Sequence, residues 1–473
     1  MIGRFSKSGN ESADVATKPA GNKERPSRAP GRTANETQNA APPAGTDFSS
    51  RYTDLKVRLH QKLLDVINLS ALEKMGADDI RREVGSTIVD LLKTDLQTPL
   101  NLEQQNRIVS EVLDELTGLG PIEPLVKDTT TSDILVNTHG TVYVERNGRL
   151  ELTEVRFKDD RHLMRIIDKI VSSVGRRVDE STPMMDARLK DGSRVNVIVP
   201  PLAVDGPILS IRKFATIRPS VEALIEIGSM TPEIAELLEA IIQAGLNVLI
   251  SGGTGSGKTT LLNAISSFIP DTERIITIED AAELQLQQPH VVRLETRPPN
   301  LEGKGEIAQR DLVRNSLRMR PDRIVVGEVR GAEAFDMLQA MNTGHDGSMT
   351  TIHANSCRDA LSRLEQMIAM AGFDIPLRSM RAQIASALNV VIQLERMSDG
   401  RRYLVSFEEI TGMEGDIITM QEIFQFKRTG MDEKGNVLGH FRATGLRPKF
   451  MEHLESRGIT VPVEIFSPDR EMN

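Results

Sequence analysis

The stretch LNVLISGGTGSGKTTLL, residues 246–262, decides the fold. It opens with a short apolar run typical of a buried strand and ends in a segment that continues as a helix through Ile269. Between them, residues 252–259 fit the pattern G-x-x-x-x-G-K-[ST] in the strand–turn–helix context that the pattern requires. We therefore predict a phosphate-binding loop. The alternative is a glycine-rich turn that fits the pattern by chance.

Each part of this loop has a predicted role. Backbone N–H groups and the helix N-terminus would hold the phosphates, Lys258 would reach the two outer phosphates, and the Thr259 hydroxyl would bind Mg²⁺. The predicted cofactors are accordingly ATP and Mg²⁺. The residues expected to contact the nucleotide are Gly252, Gly253, Thr254, Gly255, Ser256, Gly257, Lys258, Thr259 and Thr260.

Short apolar runs alternate with amphipathic helical segments from about residue 222 onward. The runs are NVLIS, RIITIE, VVRLE, DRIVVGEV, SMTTIHA and NVVIQLE. Such alternation predicts an α/β domain with a mainly parallel sheet covered on both faces, here a RecA-like domain over 222–473. Ligands of such sheets bind beyond the carboxyl ends of the strands.

Composition divides the chain before this domain. Residues 1–48 are rich in Ala, Pro, Gly, Ser, Thr and Asn and predict a disordered tail. Residues 51–118 carry apolar residues at helical spacing and predict a helical bundle. Strand patterns flanking an amphipathic helix predict a small α+β, PAS-like domain at 120–215, joined by a linker at 216–221.

Bulk composition limits the partners. The net charge is −9, there is no Trp, and only three Tyr are present, which disfavours binding to a nucleic-acid backbone or to stacked bases. No run of about 18 apolar residues could cross a bilayer, so membrane contact is expected only through partners. The first residues lack an apolar signal-peptide core and Cys357 is the only cysteine, which favours a cytoplasmic location.

Acidic residues follow two of the predicted strands. DRIVVGEVRG, 322–331, places Glu328 where it could polarise the attacking water, but Gly327 stands where many P-loop enzymes carry an Asp. IITIEDAAEL, 275–284, offers Glu279, Asp280 and Glu283 for the metal, partly through water. The alternative for either segment is a solvated acidic loop.

His353 lies at the end of another predicted strand, in GHDGSMTTIHAN, residues 344–355. From there it could sense the γ-phosphate and transmit its loss to neighbouring packing. We therefore predict a catalytic set of Lys258, Glu279, Glu328 and His353. The alternative is that His353 is a structural histidine held by hydrogen bonds. A metal site formed by His345 and His353 is disfavoured, because neither histidine belongs to a helical i, i+4 pair and Cys357 is the only thiol.

These motifs in this order resemble the secretion-ATPase superfamily that drives type II and type IV secretion and type IV pili. In that superfamily the segments at 277–284, 318–331 and 347–355 correspond to the Asp box, the Walker B element and the His box. DGSRVNVIVPPLAVDGPILSIRKF and ALNVVIQLERMSDGRRYLVSFEEITGMEGD are similar to the Tad/Flp pilus assembly ATPases, often called CpaF-type. The resemblance covers about 55–430.

The resemblance implies a homohexamer at the cytoplasmic face of the inner membrane that contacts membrane platform proteins. It also implies arginines from the N-terminal domain and linker at the phosphates, for which Arg194, Arg212 and Arg218 are the candidates; each could instead be a solvated strand charge. Type II secretion members commonly carry a four-cysteine zinc module, and a single cysteine disfavours that branch.

Three functions follow as hypotheses. The first is a mechanoenzyme in which ATP hydrolysis moves the 120–215 domain against the 222–473 domain to drive pilus assembly, pilus retraction or related secretion. The second is a RecA-like nucleic-acid motor, which would need a basic channel with aromatic residues. The third is a small-molecule kinase or nucleotide-gated binding module without mechanical output.

Overall fold

The structure is a computed structural model that describes residues 55, 59, 62–63, 77–95, 101–146, 148–189, 191–214, 219–299, 304–469 and 472. The predicted disordered tail, most of the first bundle helix, and half of the linker, including Arg218, lie outside the described residues.

Two helices of the predicted bundle are described, α1 (Ala77–Asp95) and α2 (Leu102–Thr117). Asn101 caps α2: its side chain accepts a hydrogen bond from the Gln104 N–H (2.8 Å), and the Gln104 side chain accepts one from the Asn101 N–H (3.0 Å). Apolar side chains at helical spacing form one buried cluster. Its buried members are Leu55, Leu59, Leu63, Val84, Ile88, Leu92, Ile108, Val112 and Leu113.

Residues 120–214, hereafter the antiparallel unit, form a six-stranded sheet. Its strands are β1 (Thr131–Thr138), β2 (Thr141–Arg146), β3 (Arg149–Leu152), β4 (Met184–Arg188), β5 (Arg194–Ile198) and β6 (Ile208–Arg212). The order is β3-β2-β1-β6-β5-β4, and every pairing between these strands is antiparallel. A short helix, α3 (Glu123–Lys127), precedes β1.

Helix α4 (Asp160–Ser173) packs on this sheet. Asp159 caps it by accepting a hydrogen bond from the His162 N–H at 2.8 Å. Its buried apolar side chains lie at helical spacing: Leu163, Ile166, Ile167, Ile170 and Val171.

Residues 219–472, hereafter the mixed unit, are built on a nine-stranded sheet in the order β15-β14-β13-β12-β7-β11-β10-β8-β9. The strands are β7 (Val248–Gly252), β8 (Ile275–Glu279), β9 (Val291–Glu295), β10 (Arg323–Val326), β11 (Met349–Ile352), β12 (Val390–Arg396), β13 (Arg402–Glu414), β14 (Ile417–Met431) and β15 (Val437–Ala443).

Helices cover both faces of this sheet. They are α5 (Val221–Glu226), α6 (Pro232–Gln243), α7 (Lys258–Ile265), α8 (Gln309–Ser316), α9 (Glu333–Asn342), α10 (Cys357–Met370), α11 (Leu377–Ala387) and α12 (Met451–Ser456). Consecutive side chains of β7 point to opposite faces, so Val248 and Ile250 join the cluster that contains α6 and α7, and Leu249 joins the one that contains α8 to α11.

The prediction of a mainly parallel sheet holds for part of the mixed unit only. The six strands from β12 to β9 pair in parallel, whereas β13, β14 and β15 continue the sheet as an antiparallel meander. β13 and β14 are 13 and 15 residues long and carry mixed burial patterns, so they lack the continuous apolar run by which the other strands are recognised.

Within the described residues, no helix combines the length and the apolar character needed to cross a membrane.

Candidate active site

Four strand ends meet at one edge of the parallel part of the sheet. β7, β11, β10 and β8 are neighbours in that order. The phosphate loop follows β7, His353 directly follows β11, Glu328 lies two residues after β10, and Glu279 is the last residue of β8. Since parallel strands end at the same edge, residues far apart in sequence lie together there.

The phosphate loop has the geometry that its sequence predicts. β7 is buried along its whole length, and α7 begins at Lys258 directly after Gly257, whose φ of 97° favours glycine. The Lys258 ammonium lies against the loop and donates hydrogen bonds to the carbonyl oxygens of Gly252 and Gly253, both at 3.0 Å. Burial lowers the pKa of Lys258 to about 8, so the side chain still carries its charge at neutral pH.

His353 lies between the Lys258 ammonium and the carboxylate of Glu328, the candidate base. Its Nε2 lies 2.8 Å from Glu328 Oε1, and its two ring nitrogens lie 3.3 and 3.4 Å from Lys258 Nζ. Burial, followed by the charge of Lys258, lowers the pKa of His353, which favours the neutral ring. A neutral imidazole offers one donor and one acceptor nitrogen, so it can link the two groups. Transmission of the loss of a phosphate from Lys258 to Glu328 through His353 stays a prediction.

Glu279 is a buried carboxyl with one engaged and one open oxygen. Oε2 accepts hydrogen bonds from the backbone N–H groups of Glu283 and Leu284 at 2.8 and 2.9 Å, while buried Oε1 has no hydrogen-bond partner among the described residues. Burial raises the pKa of Glu279 to about 7. An orphaned buried oxygen of this kind is a suitable position for a cation or a metal-bound water.

The geometry also explains the glycine at 327. A Cβ added to Gly327 would lie 2.8 Å from Glu279 Cγ, closer than real Cβ contacts allow. Pairing of Val326 with Ile278 brings the ends of β10 and β8 side by side, so the Glu279 side chain occupies the space that an Asp at 327 would need. That Glu279, from the neighbouring strand, replaces the carboxylate that many P-loop enzymes carry on the Glu328 strand stays a prediction.

The predicted residues surround one cavity of about 500 Å³ between the antiparallel unit and the mixed unit. Its lining includes Arg194, Arg212, Thr254, Gly255, Ser256, Gly257, Lys258, Thr259, Thr260, Glu279, Asp280, Glu283, Glu328 and His353. Gly252 and Gly253 are not in the lining, and their carbonyl oxygens accept hydrogen bonds from Lys258; their contact with a nucleotide stays a prediction.

Arg194 and Arg212 reach the cavity from the antiparallel unit, as predicted. Arg194 Nη1 lies 3.5 Å from Glu283 Oε1, and Arg212 Nε donates to Asp133 Oδ1 at 3.1 Å. Each guanidinium thus has a carboxylate partner as well as access to the cavity. Contact of either with a phosphate stays a prediction, and Arg218 lies outside the described residues.

Three arginines at the cavity or its rim are not in the predicted set. Arg330 bonds to Glu328, and Arg402 donates to the Gly255 carbonyl at 2.8 Å. Arg396 of β12 lies opposite Arg402 of β13 in the register of the two strands. Its Nη2 atom lies 3.8 Å from Oε1 of Glu145 in the antiparallel unit. Arg330 stands in the same GEVRG segment as Glu328, so proximity in sequence was an available signal. Arg396 and Arg402 gave none, because only strand pairing brings them to the loop.

The site does not hold a complete protein cage for a metal. No three His, Cys, Asp or Glu side chains among the described residues are placed to bind an ion together. Asp280 bonds to Arg330 at 3.3 Å and Glu283 to Arg194. Thr259 and Glu279 both line the cavity, which fits Mg²⁺, since Mg²⁺ usually takes few protein ligands and completes its shell with phosphate and water. Binding of Mg²⁺ by these four residues stays a prediction.

The raised pKa of Glu279 predicts a pH-dependent stability. Between the ordinary value of 4.5 and about 7, the folded protein keeps a proton that the unfolded chain releases, so the free energy of unfolding falls as pH rises through that window. The expected total is about 3 kcal/mol. Urea unfolding of nucleotide-free wild type and Glu279→Gln at intervals from pH 4.5 to 7.5 measures it. Parallel stability curves for the two proteins would contradict the burial of this carboxyl.

Comparison with known proteins finds sequence relatives among secretion-system and conjugal transfer proteins. The family profile described as "Type II/IV secretion system protein" matches residues 115–433. A putative conjugal transfer protein of Mycobacterium tuberculosis is 40% identical over 309 residues, which are 64% of this chain and 87% of that protein. The type IV secretion system protein VirB11 of Bartonella henselae is 32% identical over 321 residues, 60% of this chain and 89% of that protein.

Among solved structures, the chain is similar to the VirB11 ATPase from the Brucella suis type IV secretion system in complex with sulphate. The identity is 29%, the match covers 61% of this chain and 94% of that one, and the TM-score is 0.33.

Proposed function

Because this chain is an ATP hydrolase that belongs to the type II/IV secretion system protein family, we propose that it is the motor of a Tad/Flp type IV pilus or of a related secretion machine. The motor is a homohexamer that binds ATP with Mg²⁺ and acts at the cytoplasmic face of the inner membrane. It reaches the membrane through platform proteins, and it does not act on nucleic acid directly.

The observation that carries this proposal is the position of the cavity between two units that contact each other around it. On one side, Arg188 of the antiparallel unit pairs with Glu295 and donates to the Ala282 carbonyl at 2.9 Å. On the other side, Arg149 donates to the Asp399 carbonyl at 3.4 Å. Nucleotide bound between such units is in a position to move one against the other.

The chemistry assigned to the chain's own side chains is hydrolysis. Lys258 and the loop N–H groups hold the phosphates, and Glu328 orients the attacking water and accepts its proton. His353 links Glu328 to Lys258 and so couples the presence of the terminal phosphate to the position of the base. Mg²⁺, when bound, neutralises phosphate charge.

The proposed Tad/Flp role is more specific than membership of the type II/IV secretion system protein family. It rests on the segments 191–214 and 387–416, whose sequences are similar to those ATPases. The relatives named for conjugal transfer and for type IV secretion support a secretion-type motor in general.

The experiment uses the Glu328→Gln protein. Its solution mass with ATP and Mg²⁺ is expected to be that of six chains, and cells that carry it in place of the wild type are expected to lose surface fibres. A monomer with and without nucleotide, together with unchanged fibres, would refute the motor and favour a kinase-like protein. Stimulation of wild-type ATP hydrolysis by single-stranded DNA would favour the nucleic-acid motor.

A further inference from the structure

Arg330 is a cavity residue that the described catalytic set does not use. It lies in the loop between β10 and α9, two residues after Glu328. The backbone N–H groups of Arg330 and Gly331 both donate to Glu333 Oε1, at 2.6 and 2.7 Å, and the Glu333 side chain is largely buried at the start of α9. These two hydrogen bonds hold the backbone of the loop, while the Arg330 side chain remains 56% exposed.

The Arg330 guanidinium bridges two acidic strand ends. Nη2 donates to Glu328 Oε2 at 2.8 Å, and Nη1 donates to Asp280 Oδ2 at 3.3 Å. The same side chain lines the cavity beside Lys258 and Thr259. It is therefore a cation within reach of both the candidate base and the space where phosphates would lie.

This bridge leaves Glu328 poorly placed to act as a base. Oε2 accepts a hydrogen bond from Arg330, and Oε1 is buried 2.8 Å from His353 Nε2, with no hydrogen-bond partner among the described residues. A base that must accept a proton from water needs at least one oxygen directed at that water. Because Oε1 is buried, Oε2 is the oxygen that water could approach, so the arrangement is a resting state and hydrolysis requires Arg330 to leave Oε2.

We propose that Arg330 exchanges partners when ATP binds: its guanidinium leaves Glu328 for the γ-phosphate and frees Oε2 for the attacking water. A guanidinium recognises carboxylate and phosphate with the same planar geometry, so the exchange needs only a side-chain rotation. ADP lacks the γ-phosphate and leaves the Arg330–Glu328 bond in place. The inference rests on the proposed hydrolysis of ATP at this site.

The exchange predicts that the binding of a nucleoside triphosphate, but not of ADP, depends on Arg330. In Arg330→Gln, the affinity for the non-hydrolysable analogue AMP-PNP with Mg²⁺ is expected to fall about tenfold or more, the range of a hydrogen bond to a charged group. The affinity for ADP with Mg²⁺ is expected to change less than about threefold, because ADP does not draw the guanidinium from Glu328. Titration calorimetry on the full chain measures both values without relying on turnover.

Arg314→Gln is the matched control. Arg314 is 52% exposed and donates to Asp336 Oδ1 at 2.8 Å, so it resembles Arg330 in exposure and pairing, but it does not line the cavity. Both affinities should be unchanged in this variant. Retained ADP binding in Arg330→Gln shows that the variant is folded. Arg330→Lys keeps the positive charge but lacks the planar guanidinium, so its affinity for AMP-PNP should lie between those of the wild type and Arg330→Gln.

Equal losses for AMP-PNP and ADP, or no loss for either, would overturn the exchange. Failure of the proposed function has a different signature, since a chain without an ATP site would bind neither nucleotide even as wild type.

Discussion

Replacement of Glu328 by Gln is expected to lower the rate of ATP hydrolysis about a thousandfold while ATP affinity stays within a few-fold. Gln keeps the size of the side chain and can still contact Arg330 and His353, but it cannot accept a proton from water. Positioned general bases typically contribute 10²- to 10⁴-fold to a rate, which sets the scale of the loss.

The comparison is sharpest against Glu365→Gln. The Glu365 side chain is 18% exposed and pairs with Arg381, as the Glu328 side chain is 19% exposed and pairs with Arg330. The two substitutions therefore remove similar ion pairs, only one of which borders the cavity. Turnover by phosphate release and affinity by titration should separate them, and equal turnover in both variants would remove Glu328 from the mechanism.

Replacement of Lys258 by Ala is expected to weaken the binding of both ADP and ATP about a hundredfold. The ammonium is the buried cation of the phosphate loop, held beneath it by the carbonyls of Gly252 and Gly253. Hydrogen bonds to charged groups contribute about 1.5–3 kcal/mol each, and the variant loses at least one to phosphate. It also leaves the loop carbonyls without their donor.

Lys169→Ala serves as the control for the loss of a lysine that donates hydrogen bonds to backbone carbonyl oxygens. Lys169 Nζ donates to the carbonyl oxygens of Leu116 and Gly118 at 2.9 and 2.7 Å, and burial lowers its pKa as burial lowers that of Lys258. This variant should lose stability but bind nucleotide normally. Nucleotide affinity of the Lys258→Ala protein equal to that of wild type would place the phosphates elsewhere.

The local signals in the sequence were sufficient for the phosphate loop and for the strands beside it. Glycine spacing, a preceding apolar run and a following helix together specify a strand–loop–helix unit, and the structure contains it at β7 and α7. Buried strands read as continuous apolar runs, so β8, β10, β11 and β12 were recognisable. Because parallel strands end at one edge, Glu279, Glu328 and His353 could be expected to meet.

Relations that depend on register were not predictable. Gly327 looked like a missing carboxylate until pairing between β10 and β8 placed Glu279 in its space. Arg402 reaches the phosphate loop from the antiparallel meander, whose alternating burial carries a weaker signal than a buried run. A single sequence shows which side chains follow a strand, but it does not show which neighbouring strand places a side chain in the space beside a glycine.

The nucleotide retained by the Glu328→Gln protein tests the central claim, hydrolysis of ATP in this cavity with Glu328 as the base, most directly. Wild type and variant would each be incubated with ATP and Mg²⁺, passed through a desalting column, denatured, and their bound nucleotide separated by chromatography. We predict ADP from the wild type and ATP from the variant. ADP from both proteins would contradict the role of Glu328, and no nucleotide from either would contradict the site itself.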